Sequence, residues 1–434
     1  MNLYGRKIGI ALGGGGSLGA YEMGVWTALK ELDVNPAVVT GTSIGALVGA
    51  MMATGQYEKG LLLWRDLSAD KIMKDGLNLD WKTLRQTFKA DRRRLFSLTS
   101  NYIRHRGLDI SPLIELVKTN LRPEELKASP IRFGVVAVSL PFFKQCNVEL
   151  SRVTEDEVHD WLLASSAIWP LFPVRAIKKK YYIDGGYRDT LPIKFAFDLG
   201  AEVVIAVNLF YGVSWHPILN KRDDVINIEP SWPLGLMFNF DQTVIDRNRE
   251  LGYNDAMKKF NRLHGFRYTF TSLENSSRYD ERIEYLLDTH FKSLKPAIIG
   301  LLKRYTRKKP LDGLIFVRGL EILAETLKID PSPRRSLEGL ARECYDRLRP
   351  HFDSKSVVGL LKKIRSDKQL SSKDEKTALE AIKYILEHHF HTNEVQTWTS
   401  RKAKHALAYL LLVIIHQDIV KPQSLGATPT EATT

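Results

Sequence analysis

Cysteine is nearly absent: the 434 residues hold two, Cys146 and Cys344. They make neither a metal-binding spacing nor a disulfide framework, which argues against a secreted scaffold and for a reducing compartment. Long hydrophobic runs are missing too. The longest, Ala406 to Ile415, is too short to cross a bilayer and reads as a buried C-terminal helix. The opening MNLYGRKIGIALGGGG has no extended apolar core of a signal peptide and reads as a first strand. A cytoplasmic protein is expected, with any membrane reached peripherally from solution. No clustered metal ligands occur, and the histidines His216, His264 and His290 stand in no suggestive context.

Acidic residues are the minority, 50 against 63 Lys+Arg, so the net charge is +13. The excess is spread along the chain rather than held in a tail. A basic surface suits an anionic lipid face and equally nucleic acid, while solubility alone accounts for most such charges. Three clusters stand out: Arg92 to Arg94, Lys178 to Lys180, and Lys303 to Lys309. Hydrophobic residues make up 44% of the chain, enough for a sizeable core, and the length calls for two domains.

Residues 7–12 read as a buried strand, followed by a helix over 20–32, a short strand over 37–40 and an apolar helix over 44–54. That order predicts an α/β layer with a parallel sheet. Further strands are expected at 131–139, 145–150, 181–183 and 202–207, and helices at 112–120, 155–166 and 241–260. Beyond about residue 270 strand-like runs fade. Helical periodicity takes over at 283–304, 337–348 and 373–389, punctuated by Pro310, Pro331, Pro333 and Pro350. The expected organisation is an α/β domain over 1–270, a helical domain of unknown role over 271–421, and a polar, disordered tail over 422–434.

Two motifs carry chemistry. Gly41-Thr42-Ser43-Ile44-Gly45 is a G-x-S-x-G elbow, which presents a serine on a tight strand-to-helix turn. Upstream, Gly13 to Gly16 offer backbone N–H groups that can hold an oxyanion. The rival for Ser43 is a plain helix N-cap, a commoner fate for serine. The flanking glycines favour the elbow, since a cap needs neither. Gly14-x-Gly16-x-x-Gly19 also fits a dinucleotide fingerprint. That fingerprint wants an acid at the end of the second strand, where this chain has Thr40 to Ser43, so the dinucleotide reading is the weaker one. For a base, the candidate is Asp184 in Tyr182-Ile183-Asp184-Gly185-Gly186. On its own, Asp-Gly is more often a turn.

Taken together, Gly14 to Gly19, Gly41 to Gly45 and Asp184-Gly185-Gly186 resemble the patatin-like phospholipase family in order and spacing. Ala164 to Val174 is similar to its Ala-Ser–Pro–Phe–Pro segment, and Leu251 to Ala256 to the Gly-Tyr-x-Asp-Ala stretch of many bacterial members. The resemblance covers about the first 270 residues. It implies a three-layer fold with a mostly parallel central sheet, and a Ser43–Asp184 dyad. Gly14, Gly15 and Gly16 then form the oxyanion hole, and Gly19, Gly41, Gly45, Gly185 and Gly186 are motif positions. It further implies lipid acyl hydrolase activity of phospholipase A or lysophospholipase type through an acyl-enzyme. Thioester cleavage or acyl transfer by the same dyad is the alternative. No metal or cofactor is needed. Phospholipid or another acyl lipid is the expected substrate and nucleic acid is not an expected partner. An anionic membrane surface is a candidate contact, and self-association or an activating partner is assigned to the helical domain. The chain departs from the family at Leu18, where a basic residue is usual, and after Gly186, where Arg188 to Thr190 replace the usual asparagines.

Overall fold

The computed structural model describes residues 5–74, 107–290, 292, 295–305 and 314–351, together with 405, 407–408, 410–415 and 419. The Arg92 to Arg94 cluster, the helix expected at 373–389 and the tail after 422 lie outside the described residues. The chain divides into two compact units, 1–260 and 261–434.

In the first unit, β1 (Ile8–Leu12), β2 (Val38–Thr42) and β7 (Val203–Val207) are buried along their whole length. Fully buried Val/Ile-rich runs are what parallel strands covered on both faces require. With β3 (Arg132–Leu140), β4 (Lys144–Glu149), β5 (Arg175–Ile177), β6 (Lys180–Asp184) and β8 (Val225–Ile228) they form an eight-stranded sheet. Its order is β5-β6-β3-β2-β1-β7-β8, with β4 also on β3. The run from β3 to β8 is parallel, whereas β4 and β6 pair with β3 antiparallel and β5 pairs antiparallel with β6.

Helices cover both faces. On one, α2 (Ile44–Ala53) sits so close that a Cβ on Gly49 would meet Phe133 at 2.8 Å and Val39 at 3.1 Å. On the other, α7 (Ile193–Asp198) packs Phe195 where Gly134 leaves room, and joins a core with Val38, Val136 and Ala206. Neighbouring residues of a strand point to opposite faces, so Val39 and Phe133 against Val38 and Gly134 establish three layers. Among the described residues, the remaining helices of this unit are α1 (Ala20–Glu31), α3 (Tyr57–Arg65), α4 (Ser111–Asn120), α5 (Pro123–Ala128), α6 (Glu155–Ser165) and α8 (Gln242–Lys259). Helix α6 opens on a full capping box, Thr154 with Glu157.

In the second unit the described helices include α9 (Ser276–His290), α10 (Lys295–Tyr305), α11 (Ile315–Thr326) and α12 (Leu337–Leu348). The single helix expected over 283–304 is two. A short parallel pair, β9 (Thr269–Phe270) with β10 (Arg334–Arg335), ties residues near 270 into this unit. Consequently the division falls ten residues before the expected one. Glu321 of α11 accepts the backbone N–H of Phe266, Arg267 and Tyr268 at 2.8–3.1 Å, which fastens the same segment. Of the apolar run 406–415, the described residues Leu407, Ala408 and Leu410 to Ile415 are helical and buried.

Candidate active site

Sheet register brings the two halves of the site together. Strand β4 pairs with β3 over Gly134 to Ser139, and so occupies one edge of β3. Both β2, paired up to Val136, and β6, paired from Ala137, must then share the other edge. The two strands run in opposite senses and meet end to end there: Thr42 lies opposite Val136 and Asp184 opposite Ala137. Ser43 and Asp184, far apart in sequence, therefore arrive at the same point.

Ser43 turns sharply between β2 and α2 with φ 56°. Such a conformation is costly for a residue with a Cβ and persists only where its surroundings enforce it. The flanking glycines show how. A Cβ on Gly41 would stand 2.2 Å from the Gly45 carbonyl, and one on Gly45 2.6 Å from that of Leu12. The simple cap is not what forms, since the Ser43 side chain makes no capping hydrogen bond. Its N–H donates to Ser165 Oγ at 3.1 Å, and Ser165 Oγ donates to Val136 O at 2.6 Å. Ser165 thus ties the turn to β3, a role the sequence did not disclose.

Asp184 is held equally firmly. Its N–H donates to Ala167 O at 2.9 Å, and its Oδ1 accepts from Gly186 N–H at 2.7 Å. Gly185 is required because a Cβ there would strike Val136 O at 2.3 Å. The segment that follows is stitched to β2 and the glycine loop: Thr42 Oγ1 donates to Asp189 O, Thr40 Oγ1 to Pro192 O, and Gly14 N–H to Thr190 O. These bonds give a reason for two buried threonines in an apolar strand. Burial raises the Asp184 carboxyl from 3.8 to about 6, with the Ser43 side chain and the Gly186 amide pulling it down. No hydrogen bond of good geometry closes on Oδ2, which is buried without a protein partner. Catalytic hydrogen bonds commonly tighten only once substrate is bound.

The glycine loop faces this pair. Gly14 packs on Ser43, its Cβ position 3.3 Å from the serine Cβ, and Gly16 takes φ +58° where a side chain would meet Met237 O at 2.2 Å. The amides of the three expected donors differ in their engagement. The Gly14 amide is consumed by Thr190 O, whereas those of Gly15 and Gly16, at the start of a short 3-10 helix, donate to no backbone acceptor among the described residues. Leu18, in the place of a basic residue, is buried. Gly19 lets that turn pack on α2, since a Cβ there would lie 2.5 Å from Ile44.

Ser43, Asp184 and the three loop glycines open into one cavity of about 260 Å3. Its remaining walls are mainly apolar, among them Leu47, Trp64, Leu113, Ile168, Phe172, Phe210 and Phe238. From the segment 164–174, Ile168 and Phe172 line it, while Trp169 is exposed.

Residues 10–197 match the family model described as patatin-like phospholipase. Residues 10–197 form a patatin-like phospholipase domain. Its relatives include lysophospholipase NTE1 of Mycosarcoma maydis, 27% identical over 214 residues, 48% of this chain and 10% of that one. Patatin-like phospholipase domain-containing protein 7 of Mus musculus is 27% identical over 213 residues, 48% of this chain and 14% of that one. The chain thus spans only a small part of the length of these relatives. Among solved structures, VipD from Legionella pneumophila aligns over 94% of this chain and 91% of its own, with a TM-score of 0.39 and 14% identity.

Other residues of the first unit serve structure. Helices α1 and α8 cross in contact, with Gly24 against Arg249 O and Gly252 against Tyr21 O. Asp255 of the Gly-Tyr-x-Asp-Ala stretch accepts from Tyr21 Oη and Ser231 N–H and pairs with Lys258. That stretch braces the helix which begins directly after the glycine loop. His216 gains a context its sequence neighbours did not suggest. Its Nε2 is 3.1 Å from Asp189 Oδ1, and this raises its pKa, the carboxylate contact outweighing partial burial. Among the described residues no group of His, Cys, Asp and Glu could hold a metal, and no helix is long and apolar enough to cross a membrane.

Proposed function

We propose that the protein is a serine lipid acyl hydrolase of the phospholipase A or lysophospholipase type, working through Ser43 and Asp184. The observation that carries this reading is the meeting of a strained serine and a buried, pKa-raised aspartate at an apolar cavity. The lysophospholipase names of the relatives agree with it.

Asp184 accepts the proton of the Ser43 hydroxyl as the oxygen attacks an ester carbonyl. The Gly15 and Gly16 amides take the developing oxyanion, each good donor contributing about 3 kcal/mol at comparable sites. Asp184 returns its proton to the departing alcohol or lysolipid, and then activates water to cleave the acyl-Ser43 ester. The apolar walls receive the acyl chain. A pKa raised toward neutrality makes an aspartate a better proton acceptor while leaving it ionised at neutral pH.

The test is labelling with a fluorophosphonate probe alongside release of fatty acid from lysophospholipid. Wild type is expected to label and hydrolyse, and Ser43→Ala to do neither while unfolding at a similar temperature. Asp184→Asn is expected to lose at least a hundredfold in kcat. A fully active Asp184→Asn protein would sink the dyad.

A further inference from the structure

The sheet carries a second feature at the same end as the site. β1, β2, β3 and β7 are parallel and Ser43 follows the end of β2, so the cavity lies at their C-terminal ends. Strand β3 runs on past the register of Asp184 at Ala137 to Leu140, roughly 10 Å further at about 3.3 Å per residue. There it turns through Pro141, Phe142 and Phe143 into β4. Tyr181 of β6 lies opposite Leu140, so the β5–β6 turn at Lys178-Lys179 stands beside this one.

The two tips differ in chemistry. Phe142 is 87% exposed, and Phe143 and Tyr181 are exposed next to it, a large apolar display at one place on the surface. The other tip is basic. Lys178 and Lys179 both take positive φ, 45° and 63°. A tight hairpin of that kind favours Asn-Gly; lysines there accept backbone strain to keep charge at the tip. Lys178 is engaged with Glu157 at 2.8 Å, which leaves Lys179 and Lys180 as the outward charges.

The apolar tip is continuous with the cavity. Arg188 Nε donates to Phe143 O at 2.6 Å, its neighbour Tyr187 lines the cavity, and the Tyr187 hydroxyl donates to the carbonyl of exposed Trp169. We propose that the two adjacent turns, Phe142-Phe143 and Lys178 to Lys180, form an anchor that seats the cavity mouth on an anionic lipid surface. The aromatic tip enters the headgroup region while the lysines meet anionic headgroups. A single weak signal gives only marginal membrane residence; an apolar insertion joined to basic charge gives a stable one. This rests on the reading of the site as one for acyl lipids.

The test is co-sedimentation of Ser43→Ala protein, which leaves lipid intact, with phosphatidylcholine vesicles with and without phosphatidylglycerol. Phe142→Ser/Phe143→Ser is expected to weaken partition at least tenfold on the anionic vesicles. Lys179→Glu/Lys180→Glu is expected to do the same there and to remove the preference for anionic lipid. With Ser43 restored, both variants should hydrolyse the soluble ester p-nitrophenyl butyrate within twofold of wild type and vesicle lipid far more slowly. Unchanged partition of the Phe142/Phe143 variant, or a matching loss on the soluble ester, overturns the anchor. A wild type inert to fluorophosphonate and to the soluble ester overturns the hydrolase reading instead, and the sedimentation result still decides whether the tips bind lipid.

Discussion

At the residue scale, the Asp184 carboxyl makes two predictions with opposite signs. As a base it must be ionised, so kcat/KM should climb as pH rises through about 6 and level off above it. A pH–rate profile in which Asp184 is replaced by Glu should keep that single limb with a moved midpoint. Stability runs the other way. An acid whose pKa is raised in the fold contributes stability below its unfolded value, and that contribution fades as pH rises through the folded one. The rise from 3.8 to about 6 corresponds to roughly 3 kcal/mol. Asp184→Asn should accordingly raise the thermal midpoint at pH 8 while leaving it nearly unchanged at pH 4. Equal midpoints at pH 8 would contradict a strained buried carboxylate. Gly45→Ala tests the turn around Ser43: its new Cβ would crowd the Leu12 and Gly13 carbonyls at 2.6 and 2.7 Å. Loss of fluorophosphonate labelling and about 1–3 kcal/mol of stability are expected, read from urea unfolding.

Elements are held by close backbone approach where the site needs rigidity. The α1–α8 crossing depends on Gly24 and Gly252, and on the Asp255 carboxylate that gathers Tyr21, Ser231 and Lys258. Asp255→Ala removes the acceptor of Tyr21 and Ser231 and a counter-charge of Lys258, at a cost of about 3 kcal/mol. Because α1 starts at the glycine loop, the variant's residual activity should fall through kcat more than KM. A wild-type urea midpoint in Asp255→Ala would show the brace to be dispensable. Sequence periodicity located most of these elements well, since α6, α8, β3 and β7 each have a clear pattern. It missed α3, α5, α7, α11, β5, β8, β9 and β10, most of them short or mixed in polarity, and merged α9 with α10 because the helical period carries across from one to the other.

For the whole molecule, the sheet, the cavity and every residue lining it fall within the first compact unit. Residues 1–260 expressed alone should therefore fold and label with fluorophosphonate. Failure to label despite a native-like circular dichroism spectrum would assign the second unit a part in forming the site. What the amino-acid sequence by itself determined is local: a buried parallel sheet from Val/Ile runs, a tight turn from Gly41 and Gly45, a loop of bare amides from Gly13 to Gly16. These follow from sterics within a few residues. Tertiary structure alone decided that Asp184 meets Ser43, because that depends on two strands sharing one edge of β3. It also decided that the Gly14 amide is already taken, that Ser165 supports the serine, and that an aromatic and a basic turn stand side by side. Each of these needs long-range register, which no stretch of sequence contains.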